Sequence, residues 1–355
     1  MSKSEKIRAA VIGVGGIGQH HARIYADMDG VELVAVADPD EGRRSVAAKR
    51  TGARPYADYR ELFDKERIDV VSVTVPTVLH HAVSVDAFAR KLHVLVEKPI
   101  AATVEDANEL IRIRQETGLT LAVGHVERHN PAILELSRRL ALGELGKIFQ
   151  VHSRRMSPLP AYIKDVGVTL DLATHEIDVM RALVKSPLVR VYAEMSKNVH
   201  STHEDTLVST LRFANGVVGS LDVNWLTPSK VRECRITGER GMGVVDYIAQ
   251  DLTFFENSSA PSRWDMMALF KGVEEGNVLK PRVAKAEPLR EEILNFVHAA
   301  RTGTPPRVTG TDGLFAVAIA HMLLESAREN RRIDVKDEVL LRHWPEVLLT
   351  GQMSS

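Results

Sequence analysis

One cysteine, Cys234, stands in a chain of 355 residues. A disulfide needs two, so no intramolecular disulfide framework holds this fold, and the composition points to a reducing compartment. Cys234 lies in an apparent strand, VRECRIT, where a small buried side chain is a better reading than a nucleophile. Net charge is equally scarce: 46 Lys and Arg against 47 Asp and Glu leave a formal −1. Such a chain carries no global field toward nucleic acid or an anionic membrane. The most apolar stretch, Leu314 to Leu324, is shorter than a membrane helix and contains His321. The opening MSKSEKIRAA has no apolar run ahead of the first strand, so a secretory signal is not expected and a cytoplasmic protein is. No internal repeat or low-complexity segment is visible, and Gln352 to Ser355 are expected to fray.

What is present is ordinary for a soluble globular protein: 44% hydrophobic and 26% charged residues. The length suggests two domains. The stretch IRAAVIGVGGIG, Ile7 to Gly18, reads as a strand, a glycine turn and the start of a helix. Gly13, Gly15 and Gly18 fit the spacing G-x-G-x-x-G. In a dinucleotide site the first glycine permits the turn, the second admits the pyrophosphate and the third lets helix and strand pack closely. The helix amino terminus then offers N–H groups and a positive dipole end to phosphate. A second strand, Val31 to Ala37, ends at Asp38, about 20 residues past the third glycine, where a ribose 2′-hydroxyl needs an acceptor. A carboxylate there favours NAD over NADP, although Arg43 and Arg44 lie close in sequence. Asp38 is equally a turn residue before Pro39, and the two readings are compatible.

From Ile7 to Val123 apolar β-branched runs (7–12, 31–37, 68–75, 92–96, 119–123) alternate with helical segments (40–51, 58–65, 79–90, 103–117). Strands apolar throughout are expected where helices cover both faces of a parallel sheet, and ligands then sit at the carboxyl ends of the strands. Three strand ends stand out: Pro76-Thr77 with His80 beyond, Glu97-Lys98-Pro99, and Gly124 to Arg128. Lys98, ahead of a proline, has a restricted backbone and an aimed side chain. It reads equally as a surface lysine paired with an acid. The paired histidines, His20–His21 and His80–His81, read as helix-surface residues.

After Arg128 the pattern changes. A helix over 131–142 is followed by strands at 147–155, 189–197, 204–213, 216–225, 231–237, 242–248 and 252–256. Asn215-Gly216 is a hairpin signal, and Gly238 to Gly241 is another turn. A mostly antiparallel open sheet with few helices leaves a broad face to be covered, so self-association through it is expected. One helix interrupts, Thr169 to Leu183. Asp171, His175 and Asp178 fall at i, i+4 and i+7 and share a face. Spacing alone favours a solvated polar stripe. Neither His175 nor His203 has a second histidine at zinc spacing, and no metal site is expected.

GVGGIGQHHAR, Pro76 with His80, VEKPIAAT, VTLDLATHEIDVM and EPLREEILNFVHAARTGTPPRVTGTDGLFAVAIA together resemble the Gfo/Idh/MocA oxidoreductases across nearly the whole chain. The resemblance implies an α/β Rossmann domain with a doubly wound parallel sheet over 1–125. It implies a substrate-binding and oligomerisation α+β domain over 126–355, whose C-terminal helices can pack back on the first. It implies cofactor contacts from the loop Gly13, Gly15, Gly16, Ile17 and Gly18, from Asp38, and from the strand-end residues Thr74, Pro76, His80, Glu97 and Lys98. Lys98, Asp171 and His175 fall on the family's lysine, aspartate and histidine; Asp178 is left as structural. Arg128, with Lys98 and His175, is a candidate for substrate contact. Trp225 and Lys230 are weaker ones, with strand-end packing and solvation as the alternatives.

GHVERHNPA and NWLTPSKVRECRITGERGMGVVDYIAQDLTFFEN are similar to a branch acting on nucleotide sugars. The implied reaction is NAD-dependent oxidation of a secondary alcohol to a ketone, at C3 of a sugar such as that of UDP-N-acetylglucosamine. The alternatives are a polyol or free-sugar dehydrogenase of the myo-inositol 2-dehydrogenase type and a non-catalytic dinucleotide sensor. A homodimer or homotetramer formed through the later sheet is implied as well. In this chemistry His175 takes the hydroxyl proton, Asp171 orients the imidazole and Lys98 stabilises alkoxide charge; Lys98 as the base is the open alternative.

Overall fold

The structure, a computed structural model, describes residues 6–160, 166–258 and 275–335. The expected fraying of Gln352 to Ser355 lies outside them. Two compact units emerge. One holds the chain up to Val126 together with Glu287–Ala318, the other Glu127–Ala286 and the chain from Ile319 onward.

In the first unit β1 (Ile7–Ile12), β2 (Val31–Ala37), β3 (Arg54–Tyr56), β4 (Val70–Val73), β5 (His93–Glu97) and β6 (Leu121–Gly124) form one parallel sheet in the order β3-β2-β1-β4-β5-β6. Chain order reverses beside β1, the switch point at which open α/β sheets take their ligands. Both faces are covered, which explains the uninterrupted apolar runs. Ala10 and Ile12 point into a core with Leu62 and Phe63 of α3 (Tyr59–Lys65), Val83 and Phe88 of α4 (His80–Ala89), and Leu110 of α5 (Val104–Thr117). Ala9 and Val11 point the other way, toward Ala22 and Tyr25 of α1 (Gly18–Ala26) and Ala47 of α2 (Glu41–Thr51). Ile293 and Phe296, from much later in the chain, complete that second core.

In the second unit α6 (Pro131–Ala141) starts at Asn130, whose side chain caps the Ala132 N–H. Then come β7 (Ile148–Pro158), a π-helical turn (Thr169–Ala173) running into α7 (Thr174–Val184), β8 (Leu188–Ser196), β9 (Thr206–Phe213), β10 (Val218–Asn224), β11 (Leu226–Gly238), β12 (Gly241–Asp246), β13 (Asp251–Asn257) and β14 (Glu275–Leu279). With the short β15 (Ile333–Asp334) the described strands form one sheet, β14-β13-β12-β11-β7-β10-β9-β8-β15. Every pairing is antiparallel except β10 with β7. The expected Asn215-Gly216 hairpin joins β9 to β10, with Gly216 at φ +91°.

Two helices occupy the late segment: α8 (Pro288–Thr302) and α9 (Gly310–Glu329). Leu289, Ile293 and Phe296 of α8 belong to the core of the first unit. Along α9, Leu314 and Val317 lie in that unit, and Ile319, Ala320 and Leu323 in the core of the second. One face of the nine-stranded sheet packs on α6, α7 and the π turn; β9 and β10 alternate buried residues with more exposed ones.

Candidate active site

The glycine loop sits at the carboxyl end of β1. Gly13 has φ +86°, and a Cβ there would lie 2.7 Å from the Thr74 carbonyl oxygen. A Cβ on Gly18 would fall 1.9 Å from the Gly13 oxygen. These two glycines close the turn against β4, and the Thr74 hydroxyl donates to the Ile12 carbonyl at 3.0 Å. Gly15 differs: its missing Cβ would meet only Arg43 Nη1, at 3.9 Å, and Gly16 would meet nothing within 4 Å. Ile17 is the N-cap of α1 and makes no side-chain cap; the first turn holds no acidic residue. The carboxylate of Asp38, at the end of β2, accepts from Val14 N–H and Asp40 N–H, both at 2.9 Å. Each oxygen keeps a further lone pair. Arg44 is turned onto the backbone, donating to the Pro39 carbonyl at 2.9 Å.

The neighbouring strand ends carry the other residues of this edge. Pro76 precedes a short 3-10 turn, Thr77–Leu79, that leads into α4. His80 is buried, with Nδ1 2.7 Å from the Pro99 carbonyl and Nε2 2.9 Å from that of Val75. Burial lowers its pKa, against the pull of the two carbonyls. A neutral imidazole donates to only one of them. With both ring nitrogens turned to the chain, His80 braces the two strand-end loops.

Glu97 closes β5. Its Oε1 meets His21 Nε2 at 3.1 Å and its Oε2 accepts the Lys98 N–H at 3.1 Å. Burial alone would raise this carboxyl; the His21 hydrogen bond and the charges of His21 and Lys98 outweigh it and leave the pKa lowered. His21 Nδ1 continues to Ser72 Oγ at 3.1 Å, and that hydroxyl to Tyr25 OH at 2.9 Å. His21 is thus fully buried, not on the helix surface as its pairing with His20 suggested. Its neighbour Glu292 brings a second carboxylate within 4.8 Å of the same group. Neither was expected from sequence. The spacing of Gly18, His21, Ala22 and Tyr25 (i, i+3, i+4, i+7) was the available signal for His21.

In the second unit the polar stripe is not solvated. His175 is 8% exposed and Asp178 wholly buried; Asp171 is half-buried in the π turn that precedes α7. Asp178 Oδ1 accepts from Arg128 Nη1 at 3.1 Å, so the residue read as structural holds the arginine read as a substrate contact. Trp225 is buried, packs 5.9 Å from the His200 ring, and its backbone N–H donates to the Asp205 carbonyl at 2.9 Å; Lys230 is exposed. Both follow their packing and solvation readings. Cys234 is buried as expected, and burial pushes its thiol up to about 12, which removes it as a nucleophile.

Behind α7 lies a network with no counterpart in the sequence reading. Arg155, on β7, donates from Nε to Glu176 Oε1 at 2.7 Å and from Nη2 to Glu127 Oε1 at 2.5 Å. Tyr247 OH donates to Glu176 Oε2 at 3.0 Å, and Asn130 Nδ2 to Glu127 Oε2 at 3.2 Å. Burial raises the Glu176 pKa against the pull of Arg155. The guanidinium itself is raised: burial opposes its charge, but the two carboxylates outweigh it.

Comparison with known proteins supplies the family. Residues 7–125 match the model for an oxidoreductase family with an NAD-binding Rossmann fold, and residues 133–244 the Gfo/Idh/MocA C-terminal domain. An inositol 2-dehydrogenase of Salmonella paratyphi B is 30% identical over 253 residues, 68% of this chain and 75% of that one. This chain belongs to the Gfo/Idh/MocA oxidoreductase family. The UDP-N-acetylglucosamine 3-dehydrogenase of Acidithiobacillus ferrooxidans is 28% identical over 314 residues, covering 88% of this chain and 95% of that one. A solved structure of it superimposes with a TM-score of 0.80 at 27% identity, over 91% and 98% of the two chains. Levoglucosan dehydrogenase in complex with NADH has a TM-score of 0.82 at 22% identity, over 94% and 100%, and shares the fold.

As a member of this family the chain is a dehydrogenase acting on CH–OH groups. The glycine loop fits the dinucleotide: the space beside Gly15 is open where a pyrophosphate needs it, and the amino end of α1 carries no competing acid. No described helix is long and apolar enough to cross a membrane.

Proposed function

We infer that this enzyme oxidises a secondary hydroxyl of a nucleotide sugar, at C3 of a sugar such as that in UDP-N-acetylglucosamine, with NAD as the oxidant. The observation that carries this reading is end-to-end similarity to the Acidithiobacillus enzyme, which spans 95% of that relative. A second reading, an inositol dehydrogenase, has support from the 30% identity to the Salmonella enzyme, over a shorter span. Asp38 favours NAD: a carboxylate held by two backbone N–H groups repels a 2′-phosphate and accepts from a 2′-hydroxyl. The lone buried thiol agrees with a cytoplasmic setting.

Bound nicotinamide supplies the hydride acceptor. The residues handle the proton. An imidazole nitrogen of His175 takes it from the substrate hydroxyl, since histidine titrates near the working pH. Asp171, four residues earlier, orients that ring and stabilises its protonated form. The Lys98 ammonium stabilises alkoxide charge as the proton leaves, and in reverse polarises the ketone. Lys98 as the base is the competing assignment. Arg128, held by Asp178, is the arginine assigned to substrate contact.

NADH formation is measured with UDP-N-acetylglucosamine, its uronate, myo-inositol and glucose, on wild type, His175→Ala and Lys98→Ala. Turnover is expected on a UDP sugar. Each variant is expected to lose at least about 100-fold in kcat, the scale of general acid–base catalysis, with NAD affinity within about twofold. Turnover on myo-inositol alone selects the second reading. Wild-type turnover in either variant removes that residue from the mechanism, and NAD binding without activity on any substrate favours a sensor.

A further inference from the structure

Two links, one direct and one through a third residue, join the same two pieces of chain. One piece is the 3-10 turn Val126–His129, which offers Glu127 and Arg128; the other is α7, which offers Glu176 and Asp178. Arg128 meets Asp178 directly at 3.1 Å. Glu127 and Glu176 carry like charge and cannot pair with each other. They meet through Arg155, which gives Nη2 to one at 2.5 Å and Nε to the other at 2.7 Å.

The geometry of the intermediary matters. A guanidinium is a planar fork whose Nε and Nη donors point in fixed directions, so one arginine sets the separation and relative rotation of two carboxylates. Both side-chain ends are locked further. Glu176 Oε2 takes Tyr247 OH at 3.0 Å, while Asn130 Nδ2 bridges Glu127 Oε2 and the Tyr247 carbonyl, at 3.2 and 3.0 Å. Arg232 Nη1 stands 3.6 Å from Glu127 Oε1 and completes a charge-neutral set of two acids and two bases. Arg155 and Glu176 lie within the protein, so the bonds cannot be exchanged freely for water.

Glu176 adjoins His175 on α7, one residue or about 100° around the helix. Pinning Glu176 therefore pins the helix rotation that aims the imidazole. We propose that Arg155 is a positioning residue for His175: through Glu176 it sets the rotation of α7, and through Glu127 it ties that rotation to the turn carrying Arg128. The inference rests on the assignment of His175 as the base.

The test uses the full-length enzyme. Arg155→Lys keeps the charge but loses the fork. It is expected to lower kcat at least tenfold while KM for NAD and sugar changes less than twofold, with the protein still folded by circular dichroism. Tyr247→Phe removes a single bond to Glu176 and keeps the ring packing. It is expected to lower kcat several-fold, again with little change in KM, and it decides the matter if Arg155→Lys does not fold. Variants that melt earlier but turn over at the wild-type kcat per folded molecule overturn the proposal, because a purely structural role predicts that result. His175→Ala measured alongside separates the two ideas. If it stays active, the base assignment fails and the positioning proposal fails with it. If it is inactive while Tyr247→Phe and folded Arg155→Lys keep wild-type kcat, only the positioning proposal fails.

Discussion

Gly15 and Gly18 stand three residues apart in one loop, and a methyl group affects them in opposite ways. At Gly18 an added Cβ falls 1.9 Å from the Gly13 carbonyl oxygen and 2.6 Å from Thr74 Oγ1. Backbone cannot yield that far, so Gly18→Ala is expected to destabilise the protein by about 2 kcal/mol or more, in the range of overpacking. At Gly15 the nearest atom is the tip of a flexible arginine, 3.9 Å away, and the backbone is not left-handed. Gly15→Ala is expected to leave the ligand-free melting temperature unchanged or slightly higher, since alanine restricts the unfolded chain by about 0.4–1 kcal/mol. Its NAD affinity is expected to drop at least tenfold, because the methyl occupies the pyrophosphate's path. Melting curves with and without NAD give both quantities. An alanine at Gly15 that binds NAD as wild type does would remove that glycine from the cofactor site. The spacing of these glycines was legible in the sequence, because a turn is local. Which of them packs against protein and which faces open space was not, since part of what crowds Gly13 and Gly18 is Thr74, which follows β4 far along the chain.

The same division between local and distant information runs through the elements. Continuous apolar strands announced a sheet buried on both faces, and β1 and β2 fall where that pattern placed them. β3 and β15, of three and two residues, are too short for a period to register, and β14, EGNVL, has no apolar β-branched run to mark it. The helix read over 169–183 opens with a π turn, which residue spacing cannot distinguish from an α turn. Spacing alone favours a solvated polar stripe there because Arg128, the partner of Asp178, comes from another element fifty positions away, and only the family resemblance turns that reading round. The loop between β8 and β9 shows the same dependence. Asp205, buried beside β9, takes the backbone N–H groups of Asn198, Val199 and His200 at 2.9, 2.5 and 3.0 Å. Burial would raise its pKa, but these bonds and the Asn198 side chain outweigh it and leave it lowered. A group depressed in the folded state stabilises above its unfolded pKa and loses that contribution as pH falls through the folded value. Asp205→Asn, which accepts through one oxygen only, is expected to cost about 1–3 kcal/mol at pH 7. The gap to wild type should narrow below about pH 4, the ordinary aspartate range. Urea unfolding at pH 7 and at pH 3.5 measures it. A gap that is constant or widens toward low pH would show that the carboxylate charge does not hold the loop.

At the scale of the whole molecule, one face of the nine-stranded sheet still has to be accounted for. Cross-strand register lines up Thr210, Ser220, His152, Arg235 and Val244 across β9, β10, β7, β11 and β12, with Val208 and Asp222 alongside. Val208 is 51% exposed there. The row interleaves apolar groups with internally paired polar ones: His152 Nδ1 is bonded to Ser220 Oγ, and Arg154 faces Asp222 at 3.9 Å. Polar groups that already satisfy one another can be covered by a second surface at small desolvation cost, which suits burial in a homo-oligomer better than permanent exposure. Burial first, then Arg154 and Arg235, lowers the His152 pKa, so this histidine is neutral at neutral pH and adds no charge to the row. We therefore expect a dimer or tetramer joined through this face. Val208→Arg places an unpaired cation on it. Exposed surface substitutions generally stay within about 0.5 kcal/mol, so the single chain should remain folded. Light scattering is expected to give a multiple of the chain mass for wild type and the mass of one chain for Val208→Arg. Wild type that runs as one chain at micromolar concentration would leave the face as permanent surface, and an unchanged oligomer in the variant would move the interface elsewhere.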